Sequence, residues 1–413
     1  MRRWQYQFAL ALLFPWLVWD AWRRYRQARP GQRQRFEQFG RLRDGLPRDG
    51  VWLHAVSLGE TRTAAMLVKE LHRRWPGLPV VLSTTTETGA EAARALGVPH
   101  FYAPYDYARG QRRVLRSLRP RLVVVMETEL WPNLVREVNR AGVPLVIANA
   151  RLSDRSFDRY RRWGGALLRE VLAGIDLICA QSPADRERFV ALGAPRVADC
   201  GNLKFDLPVA DSIPAVPADR VHTWLAASTH PGEEQQVLAA HARLRERYAD
   251  AGLILVPRHP ERANEVLRQA ESAGFSVGRW RADTPVEQRP MVEVIDRAGL
   301  LAERFAEVPV IFMGGSLQPI GGHNPIEPAA VGRAVLSGPE VHNFRAVFAA
   351  LTEVGAVREV ADAEALAAGV IECFEAPAAW RAAGERARAV IAGHRGAADR
   401  LADRLAPWLE TAG

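Results

Sequence analysis

From Val51 onward the chain alternates short apolar runs with amphipathic stretches. The runs VWLHAV (51–56), PVVLSTT (79–85), FYAPY (101–105), LVVVME (122–127), PLVIANA (144–150) and LICAQ (177–181) predict six strands, with helical periodicity between them at 63–75 and 133–141. Continuous apolar strands separated by helices predict a parallel sheet covered on both faces. The segment 206–220, DLPVADSIPAVPADR, carries three prolines and no periodicity, and reads as a linker. The alternation then restarts with WLAAST (224–229), LILVPR (253–258), VEVID (292–296), VPVIFMGG (308–315) and AVLSGP (334–339). The expected organisation is therefore two α/β domains, 29–205 and 223–413, joined by a linker over 206–222. An Ala/Arg-rich helical stretch at 379–405 closes the second. Ligands of such sheets bind beyond the carboxyl ends of the strands, which predicts a site in a cleft between two facing domains.

The N-terminus follows a different pattern. WQYQFALALLFPWLVW (4–19) carries no charge, but it is 16 residues long and contains Pro15, whereas a full membrane span needs about 20 residues. Trp16, Trp19 and Trp22, followed by Arg23, Arg24 and Arg26, suit the headgroup layer. Asp20, Trp22 and two arginines stand where a secretory signal would place small residues. Residues 1–28 are therefore expected to be a retained membrane anchor; a soluble amphipathic helix is the rival reading. Spanning and interfacial placements both remain open at this level. Charge supports the anchor: residues 1–45 hold ten Arg against Asp20, Glu37 and Asp44, which is seven of the eight net positive charges. A nucleic-acid enzyme spreads such charge over its binding domain. Here it collects beside one apolar segment, which predicts an anionic membrane surface as partner and no nucleic acid.

At 413 residues, 25% charged and 48% hydrophobic, the chain is a folded globular protein of about two domains. Cys179, Cys200 and Cys373 form no CxxC pair, which argues against a disulfide framework or zinc site and for a reducing compartment. There is no HExxH and no DxD-type acid pair, so neither a metal nor another cofactor is expected.

Several stretches carry candidate chemistry. GGSLQPIGGHNPIE (314–327) follows an apolar run and leads into a predicted helix at 325–330. Gly315, Ser316 and Gly322 let backbone approach a phosphate, and the helix start at Asn324, Pro325 and Ile326 offers free N–H groups. Glu327, one turn in, could accept from sugar hydroxyls, and His323 stands in the same motif. The competing structural reading is a Gly-rich turn with a helix cap. LILVPRHPER sets Pro257, Arg258 and His259 at a strand's carboxyl end, where an arginine can clamp a phosphate or carboxylate or be a plain surface cation. HAVSLGET places Ser57, Gly59 and Glu60 between a strand and a helix; a carboxylate there complements the helix dipole or serves as a general base. Glu127 sits at a strand tip, as a cap or a site residue. Lys204 and Lys69 are the only lysines in an arginine-rich chain, so Lys204 is a candidate for a role needing a compact ammonium.

Together HAVSLGE, STTTETG, METELWPNL, NARLSDRS, GNLKFD, STHPGEE, LVPRHPER, GGSLQPIGGHNPIEPA and GPEVHNF resemble, in order from residue 51 to about 345, the 3-deoxy-D-manno-octulosonic acid (Kdo) transferases of Gram-negative bacteria. The resemblance implies a GT-B fold and transfer of Kdo from CMP-Kdo to the lipid A precursor, lipid IVA, during lipopolysaccharide biosynthesis at the cytoplasmic face of the inner membrane. It implies Glu60 as catalytic base, Glu127 and Lys204 as groups that stabilise the transition state, and CMP contacts at Pro257–Arg258 and Asn324–Glu327. The family's D-T-x-G-E-L segment reads DRAGLL at 296–301 here. Leu300 thus replaces a glutamate, leaving backbone contacts at Ala298, Gly299 and Leu300. The alternatives are a GT-B enzyme using a UDP-sugar on another lipid, or a non-catalytic, membrane-tethered nucleotide-binding protein.

Overall fold

The computed structural model describes residues 2–27, 37–207, 209, 212–297 and 299–410. The chain divides into two compact units, residues 1–206 with 395–413, and residues 207–394.

The first unit is built on a seven-stranded sheet: β1 (Val51–His54), β2 (Val80–Thr84), β3 (His100–Tyr102), β4 (Leu122–Met126), β5 (Leu145–Ala150), β6 (Leu177–Ala180) and β7 (Val197–Asp199), in the order β3-β2-β1-β4-β5-β6-β7. The second unit's sheet comprises β8 (Thr223–Thr229), β9 (Gly252–Pro257), β10 (Val277–Arg279), β11 (Val292–Val294), β12 (Val310–Met313), β13 (Val335–Ser337) and β14 (Val357–Glu359), in the order β10-β11-β9-β8-β12-β13-β14. All pairings are parallel. Helices cover both faces of each sheet, so the central strands are buried throughout: β1 and β4 are buried at every position. A core lies on each face, around Leu53, Val124 and Ala148 on one side of the first sheet and Trp52, Val125 and Ile147 on the other.

The eleven runs read from the sequence all contain strands. Three edge strands, β7, β10 and β14, were not anticipated. Each is three residues long, and each has one exposed and two half-buried positions, so no apolar run marks them.

The closing helical stretch also differs from expectation. It is two helices, Pro377–His394 and Ala397–Leu409, separated at Gly396, whose φ is 87°. The second helix belongs to the first unit, not the second. Its Ala397, Leu401, Leu405 and Leu409 join the core around Leu53, each fully buried leucine contributing about 1.5–3 kcal/mol. Asp206 fixes its start by accepting from the N–H groups of Gly396 (2.6 Å), Ala397 (3.2 Å) and Ala398 (2.5 Å), satisfying amides a helix start leaves open. Past Asp206, the described part of the predicted linker is packed on the second unit: Arg220 is buried and ion-paired with Glu293, and Arg333 donates to the Pro214 carbonyl at 2.8 Å.

The N-terminal helix, Arg3–Gln27, continues through Pro15. Among the described residues no helix is long and apolar enough to cross a membrane. One side of the helix docks on the first unit through Tyr6, Gln7, Leu10, Phe14 and Asp20. The other exposes Trp4, Phe8, Leu12, Trp16 and Trp19, with Trp22 beyond them. Arg23 and Arg26 lie over the rings of Trp19 and Trp22, at 5.4 and 4.8 Å from their centroids.

Candidate active site

In the first unit the chain leaves β1 and enters the helix Leu58–Arg74 with Ser57 as N-cap in extended conformation. Ser57 and Glu60 form a variant of the capping box in which the carboxylate reaches back to Val56, the residue before the N-cap, and to the Ser57 hydroxyl. The Ser57 Oγ accepts from the Glu60 N–H at 3.4 Å and donates to Glu60 Oε1 at 2.9 Å; the Val56 N–H donates to Glu60 Oε2 at 2.9 Å. Glu60 is buried, at 8% exposure. Burial pushes its carboxyl up to about 7; the charges of Glu127 and Glu129 push the same way, while the Val56 and Ser57 hydrogen bonds hold it down. Loss of hydration disfavours the charged form of an acid, which leaves this one near the pKa a general base needs at neutral pH.

Glu127 follows β4 with φ at 55°. Such left-handed geometry in a residue other than glycine costs of order 1 kcal/mol and collects at functional sites. Its N–H is held by the Ala148 carbonyl at 2.8 Å, and its Oε1 lies 3.3 Å from Lys204 Nζ. Lys204 is placed by a 3-10 turn, Leu203–Phe205, whose start is tied to Asn202 and to the buried Asn149, φ 53°. Glu129 accepts from the Trp131 indole N–H at 2.7 Å, and burial raises its carboxyl. Trp131 packs edge-on against His54 at 4.7 Å between ring centroids. His54 is buried, bonded to Ser83 Oγ at 2.9 Å, and lowered by burial to about 4, so it is a neutral wall of this region.

The second unit gathers the other candidates at the carboxyl ends of β8, β9 and β12. Gly315, Gly321 and Gly322 take φ values of 69°, 107° and 74°. A Cβ at Gly321 would meet His342 Nε2 at 2.5 Å, so only glycine fits that turn. The loop is stapled by Glu233, which is fully buried and accepts from the N–H groups of His230 (2.9 Å), Gly315 (2.7 Å), Ser316 (2.9 Å) and Leu317 (2.9 Å). This corrects the expected phosphate cradle: the amides of Gly315 and Ser316 already have a carboxylate partner. The Ser316 hydroxyl is likewise internal, donating to the Met313 carbonyl at 2.6 Å and accepting from the Gly338 N–H at 2.8 Å.

The helix after the loop is Ile326–Ala330, with Pro325 at its cap position. Asn324 Oδ1 accepts from the Ile326 N–H at 3.1 Å, and Asn324 Nδ2 donates to Glu327 Oε1 at 3.2 Å. His323 Nε2 meets His230 Nε2 at 2.8 Å with the rings 5° from parallel, an arrangement in which one ring donates and the other accepts. Burial, then the charges of His230, Arg258 and His259, hold His323 down to about 4. Arg258 and His259 are exposed at the end of β9, and Arg258 makes no ion pair with a described residue. Gly299 has φ 91°, and Leu300 packs on the core around Phe305. Ala298 lies outside the described residues.

Each unit thus collects its own predicted residues: Ser57, Gly59, Glu60, Glu127 and Lys204 in the first, and Pro257 to His259 with Gly315 to Glu327 in the second. Trp131, Asn149 and Glu233 were not anticipated. Partners far along the chain reveal them: His54 for Trp131, Leu203 for Asn149 and Gly315 to Leu317 for Glu233. Among the described residues no three His, Cys, Asp or Glu side chains group as a metal site requires.

Two Rossmann-like parallel sheets with these sites define a GT-B-type α/β protein. The crystal structure of UDP-GlcNAc 2-epimerase from Neisseria meningitidis shares this fold, with a TM-score of 0.59 at 13% identity, covering 87% of this chain and all of the other. The family model for 3-deoxy-D-manno-octulosonic-acid transferase (kdotransferase) matches residues 31–207. Proteins named 3-deoxy-D-manno-octulosonic acid transferase are 36% identical in Haemophilus influenzae, over 88% of this chain and 88% of that one, and 36% identical in Bordetella pertussis, over 99% and 100%. The chain belongs to the Kdo transferase family.

Proposed function

We propose that this protein transfers Kdo from CMP-Kdo to the lipid A precursor, lipid IVA, with inversion, at the cytoplasmic face of the bacterial inner membrane. Relatives named for Kdo transfer along most of their length support the sugar. The observation that carries the mechanism is the Glu60 carboxyl, held by two hydrogen bonds and raised to about 7. Glu60 takes the proton of an acceptor hydroxyl as that oxygen bonds to the anomeric carbon of Kdo. The bond from that carbon to the phosphate oxygen breaks, and CMP leaves with the electron pair. Positive charge builds on the sugar, where Glu127 stabilises it, and negative charge on the phosphate, which Lys204 and Arg258 neutralise without a metal. Asn324 and Glu327 orient the donor.

The N-terminal helix serves this acceptor. Its exposed Trp and Leu side chains sit in the headgroup layer, with Arg2, Arg23 and Arg26 facing anionic lipid at about 1 kcal/mol each. Nucleotide release on dispersed lipid A precursor, CMP from CMP-Kdo and UDP from a panel of UDP-sugars, tests the reading. Turnover confined to CMP-Kdo is expected; turnover with a UDP-sugar alone would replace it.

A further inference from the structure

The N-terminal helix is bonded to Asp106 and to Asn133, which lie at the end of the loop that carries Glu127. That loop runs from Glu127 to Trp131, between β4 and the helix Pro132–Arg140. Trp131 is the helix's N-cap and supplies no side-chain cap, and Pro132 follows it. A helix start leaves its first amides without partners, and here the acceptor comes from elsewhere. Asp106, from the segment between β3 and the next helix, accepts from the Asn133 N–H at 2.9 Å and the Leu134 N–H at 2.8 Å. Its own carbonyl accepts from Asn133 Nδ2 at 2.5 Å.

The N-terminal helix closes this arrangement from outside. Tyr6 Oη donates to Asp106 Oδ2 at 2.7 Å, and Gln7 Nε2 donates to Asn133 Oδ1 at 2.6 Å. Tyr107, next to Asp106, donates to the Leu10 carbonyl and packs edge-on against Phe14 at 5.3 Å. The loop therefore has one end tied to the sheet, at the Ala148 carbonyl, and the other tied to a borrowed cap that two side chains of the N-terminal helix hold.

We propose that Asp106 and Asn133, clasped by Tyr6 and Gln7, are positioning residues for the Glu127–Trp131 loop, so that the N-terminal helix is part of the active-site scaffold as well as a membrane seat. The inference rests on the transferase reading of Glu127. Seating the helix in lipid then also holds the loop that stabilises the sugar's developing charge. Deleting residues 1–28 removes the clasp along with the anchor.

The experiment uses the full chain in detergent with dispersed acceptor, so that membrane attachment plays no part. The double variant Tyr6→Phe/Gln7→Ala removes both clasp bonds and leaves the Asp106 cap. The expected result is a kcat about tenfold lower, equivalent to about 1.4 kcal/mol of barrier. Donor KM should stay within twofold and the melting temperature within about 2 °C, with faster amide exchange at Asn133 and Leu134. Tyr6→Phe alone should give a smaller loss in the same direction. A kcat within twofold of wild type despite faster exchange overturns the proposal. So does a loss of kcat matched by the loss of folded protein, which would make the clasp merely structural. Glu127→Gln is run beside them. Full activity in that variant would sink the assignment of Glu127, a failure distinct from that of the clasp, and the inference would fall with it.

Discussion

Each unit places a glutamate at the start of the helix that follows its first strand, and the two do opposite things. Glu60, after β1, accepts one backbone N–H and one hydroxyl, and burial raises it to about 7. Glu233, after β8, accepts four backbone N–H groups and is fully buried. Four charge-assisted bonds make Glu233 a staple that shapes the Gly-rich loop. Two bonds leave Glu60 able to exchange a proton. The same place in the fold thus holds a carboxylate bound by four backbone amides in one unit and one bound by two donors, and proposed here as the base, in the other.

The contrast breaks most sharply at Glu60. Glu60→Gln should lower kcat by about 100-fold or more, the usual scale for a general base, with the melting temperature at pH 7 held or raised; steady-state CMP release and a thermal melt check both. Glu233→Gln should act on binding and stability instead. It offers one acceptor oxygen to four N–H groups and turns an amide toward them, and bonds to a charged group are worth about 1.5–3 kcal/mol each. We expect donor KM to rise roughly tenfold, and an earlier denaturant transition by about 3 kcal/mol. A fall in kcat alone would erase the distinction.

The pH dependence sharpens it further. With Glu60 proposed as the base, kcat/KM should fall about tenfold per pH unit below about 7, and Glu60→Gln should lose that limb. Linkage gives the matching sign for stability. Glu60's native pKa, about 7, lies above the ordinary glutamate value of 4.5. The native state therefore holds a proton that the unfolded state has lost, and stability falls as pH rises through that window. The melting temperature of Glu60→Gln should exceed that of wild type increasingly from about pH 4.5 to about 7 and then level off. The smallest effect is expected from a chelator, with activity within about twofold since Lys204 and Arg258 are assigned to the phosphate; loss on chelation, restored by a divalent ion, would contradict this.

Much of this was legible in residue order. Buried parallel strands such as β4 and β5 are unbroken apolar runs, and Ser57 with Glu60 is a local capping pattern. What escaped depends on partners far apart in the chain. Glu233 reads as an ordinary helix-start acid until Gly315 to Leu317 are seen 82 to 84 residues away. The last helix reads as a continuation of its neighbour, but Gly396 breaks the run and Asp206, 190 residues earlier, captures its start. The edge strands β7, β10 and β14 are too short and too exposed to carry a pattern. The cap of the helix Pro132–Arg140 was invisible because it belongs to Asp106.

The most direct test of the central claim is mass spectrometry of the lipid products formed from CMP-Kdo and tetraacylated lipid A precursor by wild-type enzyme and by Glu60→Gln. The account predicts Kdo-bearing lipid from the wild type and, in the same time, at least about 100-fold less from a Glu60→Gln protein that still binds CMP. Kdo-bearing lipid formed by Glu60→Gln at the wild-type rate, or none formed by the wild type, would contradict it.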